Sequence, residues 1–556
     1  MSGPFSRLPR VRASAVTPVS LLLGVAPAVA GAQAMPFVAP SWLEAAVGTE
    51  GEGYVRMLAM DTARGTAYPV GVRGGWSPAE LSRVVRGAGA HPWAARFALP
   101  SVGWQPRVAV LRPTAGVAAN SSFPFGFNDG AVWAGRGVTS HATVGAVLTA
   151  GPLTLRLEPV AFRAENSGFR PFDNTAPGEA RFRYPLEPGV DQPVRFGGGP
   201  YQRLDWGRSE ARVDVSYVTA GLSAAPQAWG PAVQHPLILS GFAPGFAHAF
   251  IGTSRPLPLG IGRLHLRVVA GRLDPSDYAT TPDSLAVRLM SGVTATFQPA
   301  GVLRGLEIGG TRFYHQPWKD RGTVLDAWRL PFEGFLLKEG NFSVDDPSSP
   351  DYQITNELGS VFARWAFPRS GFEMYGEYAR NDASADIRDF LAQPDHSSAY
   401  TIGAARLFRR DARRWLVVRS EVVNARTTHI NRLREQGRFY QHATLTQGHT
   451  QRGQVLGSPA VMGGTGYSVL VDRYEESGRT GVQFHRIVRL WPGGEGAQRA
   501  RLHDVQYALL WDRTRFRRGV DLVTGAGLVY EFNRDFRRDA VNLTASVGVR
   551  WGRARR

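Results

Sequence analysis

The chain reads as all-β, a transmembrane antiparallel β-barrel of about 18 strands with a small N-terminal helical portion. Three observations predict this: an export leader, many segments that alternate apolar and polar residues, and connections that alternate short with long.

The leader sets the compartment. Arg7, Arg10 and Arg12 form a basic region, an apolar run follows through Leu21-Leu22-Leu23 and Val25 to Ala30, and Ala32-Gln33-Ala34 offers small residues for cleavage. No acidic residue precedes Glu44. Residues 1–34 are therefore expected to be a signal peptide and stay outside the fold argument. Beyond them no apolar stretch reaches the roughly 20 residues a membrane-crossing helix needs. The sequence contains no cysteine, so disulfides, thiolate chemistry and cysteine-type zinc sites are closed.

The three leader arginines take the formal charge from +18 to +15. Almost all the positive charge is arginine, with Lys319 and Lys338 as the exceptions. Export argues against nucleic acid as the partner. Outer-membrane lipid headgroups or an acidic surface polysaccharide fit better, because guanidinium grips phosphate and carboxylate in a bidentate way.

A strand facing lipid on one side alternates with a period of two. The last segment is the clearest case. Val541, Leu543, Ala545, Val547, Val549 and Trp551 share one face, and Asn542, Thr544, Ser546, Gly548 and Arg550 the other. Leu153, Leu155 and Leu157 oppose Thr154, Arg156 and Glu158, and Leu264, Leu266 and Val268 oppose Arg263, His265 and Arg267. Phe372, Met374 and Tyr378 oppose Glu373, Tyr375 and Glu377. Leu416, Val418 and Val422 oppose Arg419 and Glu421, with Val417 breaking the pattern. Closure removes the unpaired edges that lipid cannot satisfy.

The connections at 150–152, 368–371 and 409–414 are short; those at 165–211, 315–356, 382–399 and 425–466 are long. Short turns belong to the periplasmic side and long loops to the outside. About seventeen segments are countable from residue 107, and even numbers prevail in such barrels, so eighteen strands are expected, with sixteen as the alternative.

Residues 35–105 read differently, as an N-terminal periplasmic portion with short helices, and residues 106–556 as the barrel. Ser77-Pro78-Ala79-Glu80 is a capping box with proline at the first helical position. Leu81, Val84 and Val85 give it an apolar stripe, and a second helix is expected over 41–57, interrupted by Gly48, Gly51 and Gly53. Trp76 and His91-Pro92-Trp93 suggest that this portion is packed.

No nucleophile elbow, His-Glu-x-x-His or phosphate loop is present, and no cofactor or metal is expected. A barrel hydrolase using His442, His449 or His485 with Ser458 or Ser468 is the enzymatic alternative, and a diffusion porin for sugars or organic anions the transport alternative. The long loops carry a different signal. Trp318 and Trp328 stand among basic residues in one, and Arg438, Tyr440, His442, His449 and Arg452 cluster in another. Aromatic faces stack on sugars while Arg and His bond hydroxyls and carboxylates, so these seven are the candidate glycan contacts. Each could equally serve as a membrane-interface anchor.

Several stretches resemble the Wzi family of capsule-assembly outer-membrane proteins. They are Phe439-Tyr440-Gln441-His442 with Gln447-Gly448-His449-Thr450-Gln451-Arg452-Gly453-Gln454-Val455-Leu456-Gly457, the segment Asn128-Asp129-Gly130-Ala131-Val132-Trp133-Ala134-Gly135-Arg136-Gly137, and Phe372-Glu373-Met374-Tyr375-Gly376-Glu377-Tyr378. His449 stands where that family's tyrosine is expected, and an Arg553-Ala554-Arg555-Arg556 tail follows the last aromatic. The resemblance implies an eighteen-stranded barrel with an occluded lumen. It also implies a lectin, not an enzyme, that helps attach exported capsular-type polysaccharide at the cell surface. Its partners would be that glycan, the barrel-assembly machinery and polysaccharide export proteins.

Overall fold

The computed structural model describes residues 45–552 except 62–70, 75, 77–80, 82–83, 85–89, 95–103, 105, 128, 173, 185–188, 320–323, 325–326, 333–354, 382–390, 428–436, 443 and 491–502. The signal peptide and the capping box at 77–80 lie outside the described residues.

Twenty-three segments pair into one closed antiparallel barrel. Five staves are interrupted once each: Arg107–Val110 with Thr114–Asn120, Gly137–Thr143 with Ala146–Ala150, Leu153–Leu157 with Val160–Ala164, Tyr201–Asp205 with Glu210–Val215, and His248–Thr253 with Leu257–Pro258. Joining these pieces leaves eighteen staves among the described residues, the number expected. The ring closes where Arg538–Trp551 pairs with Thr114–Asn120, from Thr544 opposite Asn120 to Arg550 opposite Thr114. No helix is long and apolar enough to cross a membrane among the described residues.

The alternation becomes inside and outside. Val361, Ile402 and Leu543 stand about 60% exposed on the outer face, while Glu307, Arg364, Glu373, Glu421 and Asn542 are fully buried on the inner one. An outward band of carbon around a closed ladder is what a bilayer requires, and the protein is an outer-membrane β-barrel. The turns at one end are short, among them 216–217, 259–261, 368–371, 410–413, 476–477 and 517–519; the other end carries 121–136, 165–200, 224–247, 274–287 and 425–464. One expectation needs correction. The long connection expected over 165–211 ends at residue 200, because Tyr201–Asp205 and the start of Glu210–Val215 belong to the wall. The interruption at 206–209 hides the alternation there.

The chain itself enters the lumen from both ends. From the short-turn end comes the helix Glu50–Asp61, inside the barrel and not beside it. Thr49 caps it: its hydroxyl accepts the Glu52 N–H, and the Glu52 carboxylate accepts from Gly48, a variant of the capping box. Gly53 faces the Tyr474 hydroxyl, where an added Cβ would lie at 3.3 Å. Tyr54 stacks on Trp93 at 4.0 Å between ring centres, and both meet Tyr474 edge-on at 5.3 Å. Here the wall turns apolar inward: Phe362, Leu407, Trp415 and Val417 bury against Leu58 and its neighbours. The break in alternation at Val417 is thus the footprint of the helix. Asp61, at the helix end, pairs with Arg409 beside a short turn.

From the other end, residues 224–247 leave the wall and descend. Ala228–Trp229 pairs with Val72–Arg73 inside the lumen, and Trp229, Leu237, Ile238 and Leu239 join Phe313, Tyr440 and Leu456 in a second buried cluster. Wall carboxylates hold both plugs. Glu421 accepts the backbone N–H groups of Val233, Gln234 and His235 at 2.6–3.0 Å and the Tyr375 hydroxyl at 2.6 Å. Glu373 binds Arg56 of the helix at 3.1 Å, Arg364 at 2.7 Å and Arg419 at 3.1 Å. Arg56 then reaches the Pro231 carbonyl, joining the lower plug to the upper.

Two candidate glycan contacts belong to this plug. Tyr440 is fully buried and donates to the Leu237 carbonyl. His449, also fully buried, sits 2.6 Å from the Ile238 carbonyl and stacks on Tyr440. Their aromatic character packs a lumen, and neither presents surface to the outside.

Replacing Glu421 with alanine strands three buried N–H groups, each costing about 1–3 kcal/mol. Hydrogen exchange at 231–237 should therefore accelerate while the barrel still migrates as a folded species on unheated gels; unchanged exchange would remove Glu421 from this role. A second expectation concerns acid. Burial pushes the His449 imidazole down to about 3, against an ordinary 6.5. The unfolded chain thus gains a proton that the folded one refuses, and stability is lost as pH falls through that window. The thermal midpoint of His449→Gln should fall less between neutral and acidic pH than that of the parent, and equal slopes would contradict this.

Candidate functional site

The outer end carries a pocket of about 250 Å³, assembled from the tops of three wall strands and from loops that include 121–136, 165–200, 224–247 and 425–464. Gly478–Leu490, His503–Phe516 and Val520–Arg534 supply Arg489, Asp504, Glu531 and Arg534; the loops supply Phe125, Trp133 and Phe172. The charges are mutually bonded. Arg489 lies 3.4 Å from Asp504 and also bonds Glu531, and Arg534 reaches Glu531 at 2.6 Å. Arg534 lies flat over Phe123 at 4.1 Å. Exposed Arg537 lies over Phe172 at 5.2 Å, which puts a cation at the pocket mouth. Such cation–aromatic contacts add to the fixed orientation of each guanidinium.

The turn at 533–537 holds this wall in place with unusual backbone. Asn533, Asp535 and Phe536 adopt φ of 54°, 54° and 58°, a left-handed region that bulky residues rarely enter. Local bonds hold them there: Asp504 accepts the Asp535 N–H at 3.1 Å, and the Phe536 N–H donates to Asn533 at 2.8 Å. The strand pairing also shifts register between Glu531 and Arg534. Bulges and left-handed residues recur where a side chain must be aimed, and strain of this kind clusters at binding sites. Asp129 lines the inner side of the pocket. Asp129 also borders two adjoining cavities in the lumen, of about 450 and 590 Å³.

Acidic groups outnumber arginines within the pocket itself. It therefore suits neutral sugar hydroxyls, which carboxylates accept from and arginines donate to, with ring faces set against the aromatics. Anionic substituents would meet Arg537 and Arg181, which lie exposed over Phe172 and Phe182.

The seven residues singled out from sequence do not converge. Tyr440 and His449 lie in the plug. Arg452 binds Asp205 at 3.0 Å and Asp274 at 3.1 Å. Trp318 and Trp328 fold against the outer wall over Ala270 and Leu289. Arg438 and His442 remain near the outer loops, partly exposed; His442 accepts the N–H groups of Thr444 and Leu445. The residues of the pocket were missed because they come from positions near 129, 489, 504 and 531. The one available signal was the Asp129–Gly137 segment with Trp133 at its centre. Among the residues weighed for hydrolysis, Ser458 pairs with His235 at 3.0 Å and His485 with Gln483 at 3.1 Å, and Ser468 stands opposite His485 in the strand ladder.

No protein-family profile and no curated protein matches the chain by sequence. Among solved structures, the chain is similar to Wzi of Escherichia coli, described as an outer-membrane protein involved in group 1 capsule assembly and a carbohydrate-binding β-barrel. The two share 12% identity over 91% of this chain and 99% of that one, with a TM-score of 0.59. OccK8 (OprE) of Pseudomonas aeruginosa matches over 79% of this chain and 97% of its own at 8% identity, with a TM-score of 0.36. The likeness to Wzi is one of fold, an outer-membrane β-barrel.

Proposed function

We propose that this barrel binds an exported, capsular-type polysaccharide at its outer face and helps hold or assemble it at the cell surface, as a lectin and not as an enzyme. The observation that carries this reading is the outer pocket, with aromatic faces and bonded Arg–carboxylate pairs fixed by a left-handed turn. The likeness to a carbohydrate-binding barrel supports it. The sugar ring would rest among Trp133, Phe125 and Phe172, with acidic substituents on Arg537 and Arg181. Arg438 and His442 would extend contact along the chain, and export proteins would deliver the polymer to the outer end.

A diffusion porin is the second reading, favoured by the two lumen cavities beside Asp129. The plugs argue for the lectin, since the helix Glu50–Asp61 and residues 224–247 meet within the lumen through Arg56 and the Pro231 carbonyl.

Purified barrel should bind the host's surface polysaccharide, and the two kinds of contact should fail differently. Arg537→Ala should weaken binding several-fold at low salt and little at high salt, because exposed charges are screened beyond about 8 Å at physiological ionic strength. Trp133→Ala should weaken it by about 3- to 10-fold at every salt concentration, the scale of one aromatic contact. If both variants fold and bind like the parent, the pocket is not the glycan site.

A further inference from the structure

The departure of residues 224–247 into the lumen leaves a mark on the wall. Glu210–Val215 pairs with Val218–Ser223, but the chain quits the wall after Ser223 and returns at His248. Above that level the wall lacks the upper parts of two staves. Tyr201–Asp205 pairs with Val160–Ala164 on one side and has no ladder partner on the other among the described residues. Across the notch stand Arg272 and Leu273.

A hairpin closes the notch from the lumen side. Thr450–Gln451 pairs with Gln454–Val455, and its tip, Arg452-Gly453, turns through φ of 48° and 78°. From that tip Arg452 reaches Asp205 on one edge and Asp274 on the other. The lipid-facing side stays open as a cleft of about 950 Å³, at the upper end of the roughly 300–1,000 Å³ typical of small-molecule sites. Its floor is a row of small outward side chains, Ala211, Ala249 and Ala270, in register with Leu222. Trp206 bounds one side, and Trp318 with Trp328 the other.

A cleft on this face opens into hydrocarbon, so its occupant has to be apolar. Its outer rim carries cations: Arg272, half-exposed and bonded to Asp274 at 2.7 Å, with Lys319 and Arg329 exposed beside the two tryptophans. We propose that the cleft seats an acyl chain of a phosphate-bearing lipid of the outer leaflet, with the phosphate held by Arg272 and Lys319. Carbon below and guanidinium or ammonium above is the pattern a phospholipid or phosphoglycolipid presents in reverse. Trp318 and Trp328 then act as the wall of a lipid site. The inference stands apart from the glycan reading, since no residue of the outer pocket takes part.

The test is native mass spectrometry of the parent barrel, stripped of lipid in mild detergent. It is then offered bisphosphorylated lipid A or the same lipid with its phosphates removed. The parent should retain one phosphorylated molecule, with about tenfold lower occupancy by the dephosphorylated form. Leu222→Trp and Ala249→Phe, which fill the cleft with apolar bulk that a lipid face tolerates, should each lower occupancy by about tenfold. Arg272→Gln with Lys319→Gln should erase the preference for phosphate. Equal retention of the two lipids by the parent overturns the proposal without reference to any variant. So does parental retention by a cleft-filled variant that assembles.

Discussion

Glu373 is the pivot of the lumen. It is fully buried and holds three guanidiniums, from Arg56 of the helix and from Arg364 and Arg419 of the wall. Eighteen staves enclose more space than their own side chains fill, and the inner face of such a wall is polar. Once water is displaced from that space, every charge left there needs a partner, because an uncompensated buried ion costs several kcal/mol. The plug supplies the partners. Arg56 comes from the N-terminal helix, and the three N–H groups on Glu421 come from the descending loop. The plug and the charged wall thus require one another.

One topological choice shapes both the interior and the exterior. Where 224–247 turns inward, the lumen gains Trp229 and the Leu237–Leu239 run, and the wall loses the upper parts of two staves. The hairpin at Thr450–Gln451 and Gln454–Val455 repairs the loss from inside, with Arg452 across the gap. The outer pocket lies elsewhere, against the tops of the strands that carry Arg489, Asp504 and Glu531. The outer pocket, the plugged lumen and the membrane-facing cleft are therefore separate regions of one wall.

Much of this wall was legible in the sequence. A period of two is a local property, so Leu543, Met374 and Ile402 announce the lipid face without knowledge of their partners. The short–long order of the connections sets the two ends, and the evenness rule completes the number of staves. The plug was less legible. Leu237-Ile238-Leu239 has the composition of a buried strand, and nothing local distinguishes a wall strand from a segment that descends between walls. Tyr440 and His449 carry the chemistry of a sugar site, yet that same chemistry satisfies backbone carbonyls in a crowded lumen. Val417 was the informative irregularity: an apolar residue on a polar face marks something apolar opposite, here the helix of Glu50–Asp61. The outer pocket stayed hidden because its residues are brought together only by closure of the ring.

As proposed, the chain plugs its own barrel and acts at the outer surface instead of conducting solutes through it. Single-channel recording of the purified barrel in planar bilayers tests this most directly. The structure predicts no steady conductance, because the helix and the descending loop meet within the lumen through Arg56 and the Pro231 carbonyl. Large, stable conductance steps from the parent protein would contradict it and assign the cavities beside Asp129 to a transport path.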